Sequence, residues 1–206
     1  MRGRDIKQNG YEWARLYCIC TFPAAHVNIE EYPAIEKWFK DANWSDEVPA
    51  GDGQLKLEQT GIKHSLNGKS FQSRKKTGNK WFETQDQIAY MDDFDKQKIL
   101  YSEIVRSPQF YLDNQKFVPE ATTFIISGKH LDVLVQFLNS PLIAWVFKTF
   151  YAGGGLGEDG FRYKKQFFIN LPLPKVFNTK ISNNTIKLLY HLTDEEMNFI
   201  SSSVKK

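Results

Sequence analysis

Between Lys98 and Ser127 the chain is cut into pieces of a length that only short strands accommodate. "KILYSEIV" (98–105), "QFYLD" (109–113), "KFVP" (116–119) and "TTFIIS" (122–127) are rich in β-branched and aromatic residues, and turn pairs such as Ser107-Pro108 and Asp113-Asn114 separate them. Runs of this kind between turn signals predict an antiparallel meander. Two helices follow in the pattern, "HLDVLVQFLNS" and "PLIAWVFKTFYA", with Asn139 placed to end the first and Pro141 to open the second. Upstream, "IEEYPAIEKWFKDA" carries Ile35, Trp38 and Phe39 at helical spacing, with Pro33 suited to the first turn. "YEWARLYCICTF" (11–22) has the composition of a strand, which would turn Cys18 and Cys20 to one face as reduced core residues, and "FRYKKQFFINLPLP" (161–174) also reads as extended. "NWSDEVPAGDG" (43–53) is an acidic, turn-rich loop. The tail from Asn183 is amphipathic helix, with Thr193 and Glu196 spaced as a capping box. The expected fold class is mixed α/β (α+β): short, largely antiparallel strands packed with several helices in one core.

At 206 residues and 41% hydrophobic content the chain can bury such a core without staples. Its longest apolar run, "PLIAWVF", is too short to span a bilayer, and the N-terminus lacks a signal-peptide pattern, so a cytoplasmic protein with no membrane partner is expected.

Charge is unevenly placed. Between Gln54 and Lys80 stand Lys56, Lys63, Lys69, Arg74, Lys75, Lys76 and Lys80 against Glu58 alone, although the whole chain carries only +3. The remainder is therefore net acidic. That asymmetry fits a polyanion-binding face on an otherwise ordinary domain; a solvated lysine-rich loop is the plainer reading.

Catalytic motifs are scarce. "GLGEDG" (155–160) matches G-x-G-x-x-G, but a helix precedes it, an extended segment follows, and Glu158 and Asp159 would repel a phosphate. It reads as a turn. His26, His64, His130 and His191 have no metal-site spacing. The carboxylates Asp92, Asp93 and Asp95 near Lys98 are the nearest approach to a metal-dependent nuclease, and "DDFDKQK" reads better as a solvated helix end. No catalytic, cofactor or metal residues are assigned.

Taken in order, "RGRDIK" (2–7), "TFPA" (21–24), "EYPAIEK" (31–37), "LEQTGIK" (57–63), "RKKTGNKWFETQDQIAY" (74–90), "KILYSEIVRSPQF" (98–110), "LNSPLIAWVFK" (138–148) and "LGEDGFRYKKQFFINLPLPK" (156–175) resemble the C-terminal specificity, or target recognition, domain of TaqI-type adenine-N6 DNA methyltransferases and the fused restriction-modification enzymes related to them. "TGNKWFETQDQIAY" and "FRYKKQF" carry most of the resemblance. It implies one DNA target recognition domain over residues 1–206, with 1–10 a remnant of the linker from a methyltransferase domain and 180–206 a helical tail. The family's glycine motif for S-adenosylmethionine and its N-P-P-aromatic motif do not occur in this sequence. S-adenosylmethionine is therefore expected in a separate methyltransferase domain, in cis or in trans, and double-stranded DNA is the expected partner.

Lysine and arginine on phosphates supply affinity, while amides and arginine at base edges supply discrimination. Lys69, Arg74, Lys75, Lys76 and Lys80 are the expected backbone contacts, with Gly78 allowing close approach. Asn79 and Gln85, with Gln87, are candidate base readers that alternatively satisfy local backbone. Trp81 and Phe82 are expected to anchor the arm. Arg106, Arg162, Lys164 and Lys165 form a second set; if "FRYKK" is a strand, Arg162 and Lys164 share a side and Lys165 takes the other. The rival functions are a protein-interaction scaffold with a solvated basic loop and a stand-alone nuclease.

Overall fold

The computed structural model describes residues 1–151, 161–173, 175 and 180–204; the "GLGEDG" turn lies outside them. The fold is mixed α/β, with short antiparallel strands and several helices, and it divides into two compact units: Met1–Tyr17 with Tyr90–Lys206, and Cys18–Ala89.

The chain opens in the first unit. A single turn at Gly3–Asp5 leads into the hairpin β1 (Ile6–Lys7) and β2 (Gly10–Tyr11). Asp5 is buried and takes the Arg2 guanidinium at 2.7–3.1 Å, which holds its carboxyl below the ordinary range despite the opposing effect of burial. A Cβ on Gly3 would lie 2.7 Å from the Ser102 hydroxyl and 3.1 Å from the Thr122 carbonyl oxygen, so a side chain here would force its neighbours to shift.

The strand expected over residues 11–22 is absent after Tyr11. Arg15 stands at a φ of +58°, incompatible with an extended run, and Leu16, Tyr17 and Ile19 are exposed. Cys18 is exposed and Cys20 half-buried, both as free thiols, so neither is a core residue. β-prone composition makes a strand only where a partner edge exists, and among the described residues no strand pairs with this segment.

The second unit begins with single turns at Pro23–Ala25 and Ile29–Glu31, followed by α1 (Pro33–Asp41), which opens on Pro33 as the sequence predicts, and α2 (Gly53–Leu57). A Cβ on Gly53 would fall 2.0 Å from the Phe39 carbonyl oxygen, so glycine lets the two helices meet. β3 (Lys63–Leu66) and β4 (Lys69–Gln72) form a hairpin about Asn67 and Gly68, both at positive φ. Asn-Gly is the sequence signature of that two-residue turn. Phe71 on β4, Val48 and Ala42 form the small core, with Leu55 and Leu66 against it.

Returning to the first unit, the chain forms β5 (Lys98–Ser102), β6 (Ile104–Val105), β7 (Phe110–Asp113) and β8 (Thr123–Ile126). The strands are antiparallel, but β5 is central, flanked by β7 and β8, rather than first in a meander. All five residues of β5 are buried. "KFVP" is not a strand: the Asp113 carboxylate takes the Gln115 and Phe117 amides at 2.7 and 2.9 Å, and Lys116 lies at a φ of +59°. α3 (Leu131–Leu138) and α4 (Pro141–Val146) follow as expected, with Ser140 capping α4 and a wide helical turn continuing over Phe147–Tyr151. Asn139 grips both the amide and the carbonyl of Phe110, at 3.1 and 2.8 Å, tying the helix pair to the sheet.

The segment expected to be extended from residue 161 is a strand only at β9 (Phe161–Arg162), which pairs with β6; it then turns into the short helix α5 (Lys165–Phe168). Tyr163 is buried against Phe147, Phe110 and Tyr101, and that anchor ends the alternation. α6 (Asn183–Leu189) and α7 (Asp194–Val204) make the tail. The Thr193–Glu196 capping box forms, and Ile186 and Ile200 complete a second core with Val133, Phe137 and Leu142. Each such side chain contributes about 1.5–3 kcal/mol on burial.

Candidate nucleic-acid interface

Beyond β4 the backbone from Ser73 to Ala89 has no regular structure, so its amides and carbonyls need partners from side chains. Gln59, only 6% exposed, supplies the main brace: its Nε2 donates to the Lys80 and Glu83 carbonyls at 3.1 and 2.8 Å, and its Oε1 accepts from the Thr77 hydroxyl. Arg74 works from the other side, donating from Nε to the Leu57 carbonyl at 2.7 Å and from Nη2 to the Trp81 carbonyl at 2.6 Å. Burial lowers its pKa from the ordinary guanidinium value. Asn79 Nδ2 donates to the Thr84 and Gln85 carbonyls at 2.9 and 3.1 Å. Buried Glu83 accepts the Lys80 amide at 2.8 Å, and Phe82 is buried with Trp81 edge-on to it, so both aromatics anchor the loop.

This network divides the expected contact residues by what their side chains already hold. Lys75 and Lys76 are exposed and make no side-chain hydrogen bond or ion pair with the described residues. Lys69 donates to the Asp46 and Val48 carbonyls at 2.8 and 3.3 Å. Lys80 reaches the Val27 carbonyl at 3.3 Å and lies 5.6 Å above the Phe82 ring. Lys56 pairs with Glu47 at 3.1 Å. Gln85 donates at 3.4 Å to the Lys75 carbonyl, and Gln87 is exposed. Gly78 is exposed, with open space where a Cβ would stand, so the protein itself does not demand glycine there. The cationic cluster read from the sequence thus becomes a braced loop whose fully uncommitted charges are Lys75 and Lys76, with exposed Lys63 on β3 close in sequence.

The second set lies in the other unit. Pairing of β6 with β9 brings Arg162 opposite Ile104 and places Arg106 one residue beyond Val105, uniting two segments 56 residues apart on one small sheet. Arg106 is exposed and Arg162 half-buried. Lys164 is half-buried after the strand, and exposed Lys165 opens α5, so they do not extend a strand face.

Of the residues proposed for a nuclease, Asp93, Asp95 and Lys98 are otherwise engaged, and Asp92 is exposed. Lys98 is fully buried against Asp113 at 2.6 Å, Asp93 pairs with Lys96 and accepts from Ser127, and Asp95 faces Lys116 at 3.6 Å. Sequence reasoning missed Gln59, Thr77 and Glu83 as the braces of the loop. A buried amide bonded to carbonyls 21 and 24 residues away leaves no local pattern to find.

A mixed α/β scaffold carrying a side-chain-braced, cation-bearing loop has the build of a recognition module for a polyanion. The chain belongs to the TaqI-like C-terminal specificity domain family, whose sequence model matches residues 1–173. Domains of this family generally function as DNA-binding specificity modules, and membership suggests a DNA-specificity role in restriction-modification systems. Among curated proteins none matches the chain.

Asn79 then has a definite expected behaviour. Because its amide donors hold the loop, Asn79→Ala should weaken binding to preferred and random duplexes by the same factor, about fivefold for the loss of roughly 1 kcal/mol of bracing. Competition binding against both duplex sets measures this. A loss confined to the preferred duplex would make Asn79 a base reader instead.

Proposed function

We propose that this domain binds double-stranded DNA sequence-specifically and presents a target adenine to an S-adenosylmethionine-dependent N6-adenine methyltransferase domain, in cis or in trans, within a restriction-modification system. Lys75 and Lys76 carry the reading: two adjacent uncommitted ammonium groups stand on a loop whose backbone is pinned by Gln59, Arg74 and Asn79. A pinned loop lets cations meet phosphates with little further ordering on binding. Membership of a family of DNA specificity modules supports the same reading. The domain's work is affinity, register and sequence discrimination; extrusion of the adenine and methyl transfer belong to the methyltransferase domain.

The test is duplex binding across a salt series. With Lys75, Lys76 and one or two of Lys63 and Lys80 on phosphates, log K should fall with log salt at a slope of about −3 to −4. Binding indifferent to salt would sink this reading and favour a scaffold with a solvated loop.

A further inference from the structure

Of the side chains that could read base edges, those on the braced loop are largely committed. Asn79 has placed its donors on two carbonyls, and Gln85 reaches the Lys75 carbonyl. The small sheet β6–β9 differs. Ile104 and Arg162 are directly opposed in an antiparallel pair, so their side chains rise on the same face. The other face is anchored, for Val105 is 5% and Tyr163 1% exposed within the main core.

The free face has an unusual composition. Ile104 is 51% exposed, a large apolar side chain left to solvent in a strand. Arg162 beside it makes no side-chain hydrogen bond or ion pair among the described residues, and its Nε is shielded from solvent without an acceptor. Arg106 follows two residues after Ile104, exposed and likewise without a partner among the described residues. An enclosed donor with no acceptor is uncommon in a folded protein, and the half-buried guanidinium has no internal hydrogen bond among the described residues that would have to break before its open nitrogens meet an external acceptor.

We propose that the β6–β9 ribbon is the base-reading element of the domain, with Arg162 and Arg106 donating to guanine edges in the major groove and Ile104 lying against a thymine methyl. The major groove is wide enough for a two-stranded ribbon, guanine offers two adjacent acceptors to one guanidinium, and the thymine methyl is the apolar feature of that groove. A protein-docking surface would be expected to cluster apolar residues; here a single isoleucine stands with two guanidinium groups.

This inference rests on the DNA-binding reading, and the experiment separates their failures. The chain is incubated with duplexes randomised over about ten base pairs, one helical turn, and the bound fraction is sequenced, for the native protein and for Ile104→Ala, Arg162→Lys and Arg106→Lys. Lysine keeps the charge but not the paired donors. Each variant should retain the salt slope of the native chain while losing enrichment at one or two adjacent positions, with affinity for the enriched duplex falling about tenfold to a hundredfold. Thermal melting at the native temperature shows that the variants fold, and Arg106→Lys, outside the strand, keeps the test independent of ribbon pairing. If all three enrich the native sequence with native affinity, the ribbon is not the reader, whereas salt-dependent binding by the native chain still stands. If the native chain binds no duplex, the DNA-binding reading falls and this one with it.

Discussion

Asp113→Ala is expected to destabilise the larger unit by about 3–5 kcal/mol, a large share of the roughly 5–15 kcal/mol that holds an ordinary domain folded. Lys98 and Asp113 sit opposite each other in the register of β5 and β7, both at 0% exposure, with Nζ and Oδ2 2.6 Å apart. Nζ also donates to the Phe94 carbonyl at 2.6 Å, while the carboxylate accepts the Gln115 and Phe117 amides. Removing the carboxylate leaves a dry ammonium and two unmet amides together. Lys98→Met with Asp113→Asn should recover most of the loss, because the charge goes with its partner and the amide oxygen still accepts from the turn. Hydrogen exchange at the β5 amides across a urea series reports on this unit alone. A cost below about 1 kcal/mol for Asp113→Ala would mean that the ammonium finds water.

Charge reversal of Lys75 and Lys76 together is expected to flatten the salt slope of duplex binding by about two and to lower affinity about a hundredfold at roughly 0.1 M salt. A phosphate that no longer meets a cation keeps its condensed counterions, so each reversal removes one share of the salt dependence. Neither ammonium has a partner among the described residues whose removal could disturb the fold. Reversal of Lys69 serves as the contrast. Its ammonium already lies on the Asp46 and Val48 carbonyls, so the slope should move by less than about half a unit. The sequence ranks these three lysines alike. Equal effects from all three would show that Lys69 leaves its carbonyls to reach DNA.

Features that act within a few residues were legible in the order of amino acids. Turn pairs and β-rich strings marked β5, β7 and β8, Pro33 and Pro141 marked helix starts, and Thr193 with Glu196 marked the final cap. The concentration of cations between Gln54 and Lys80 was equally plain, being a property of composition. Pairing partners were not legible. Residues 12–22 have the composition of a strand and no strand to pair with, while Arg162 is in a strand because Ile104, far away in sequence, offers it an edge. Which of the clustered cations are uncommitted was likewise invisible: Arg74 and Lys75 are neighbours, yet one guanidinium is turned inward to two carbonyls and the other side chain is left to solvent. A charge is written in the sequence, but its availability depends on whether folding brings a carbonyl within about 3 Å, and that is set by packing between residues that the chain order keeps apart.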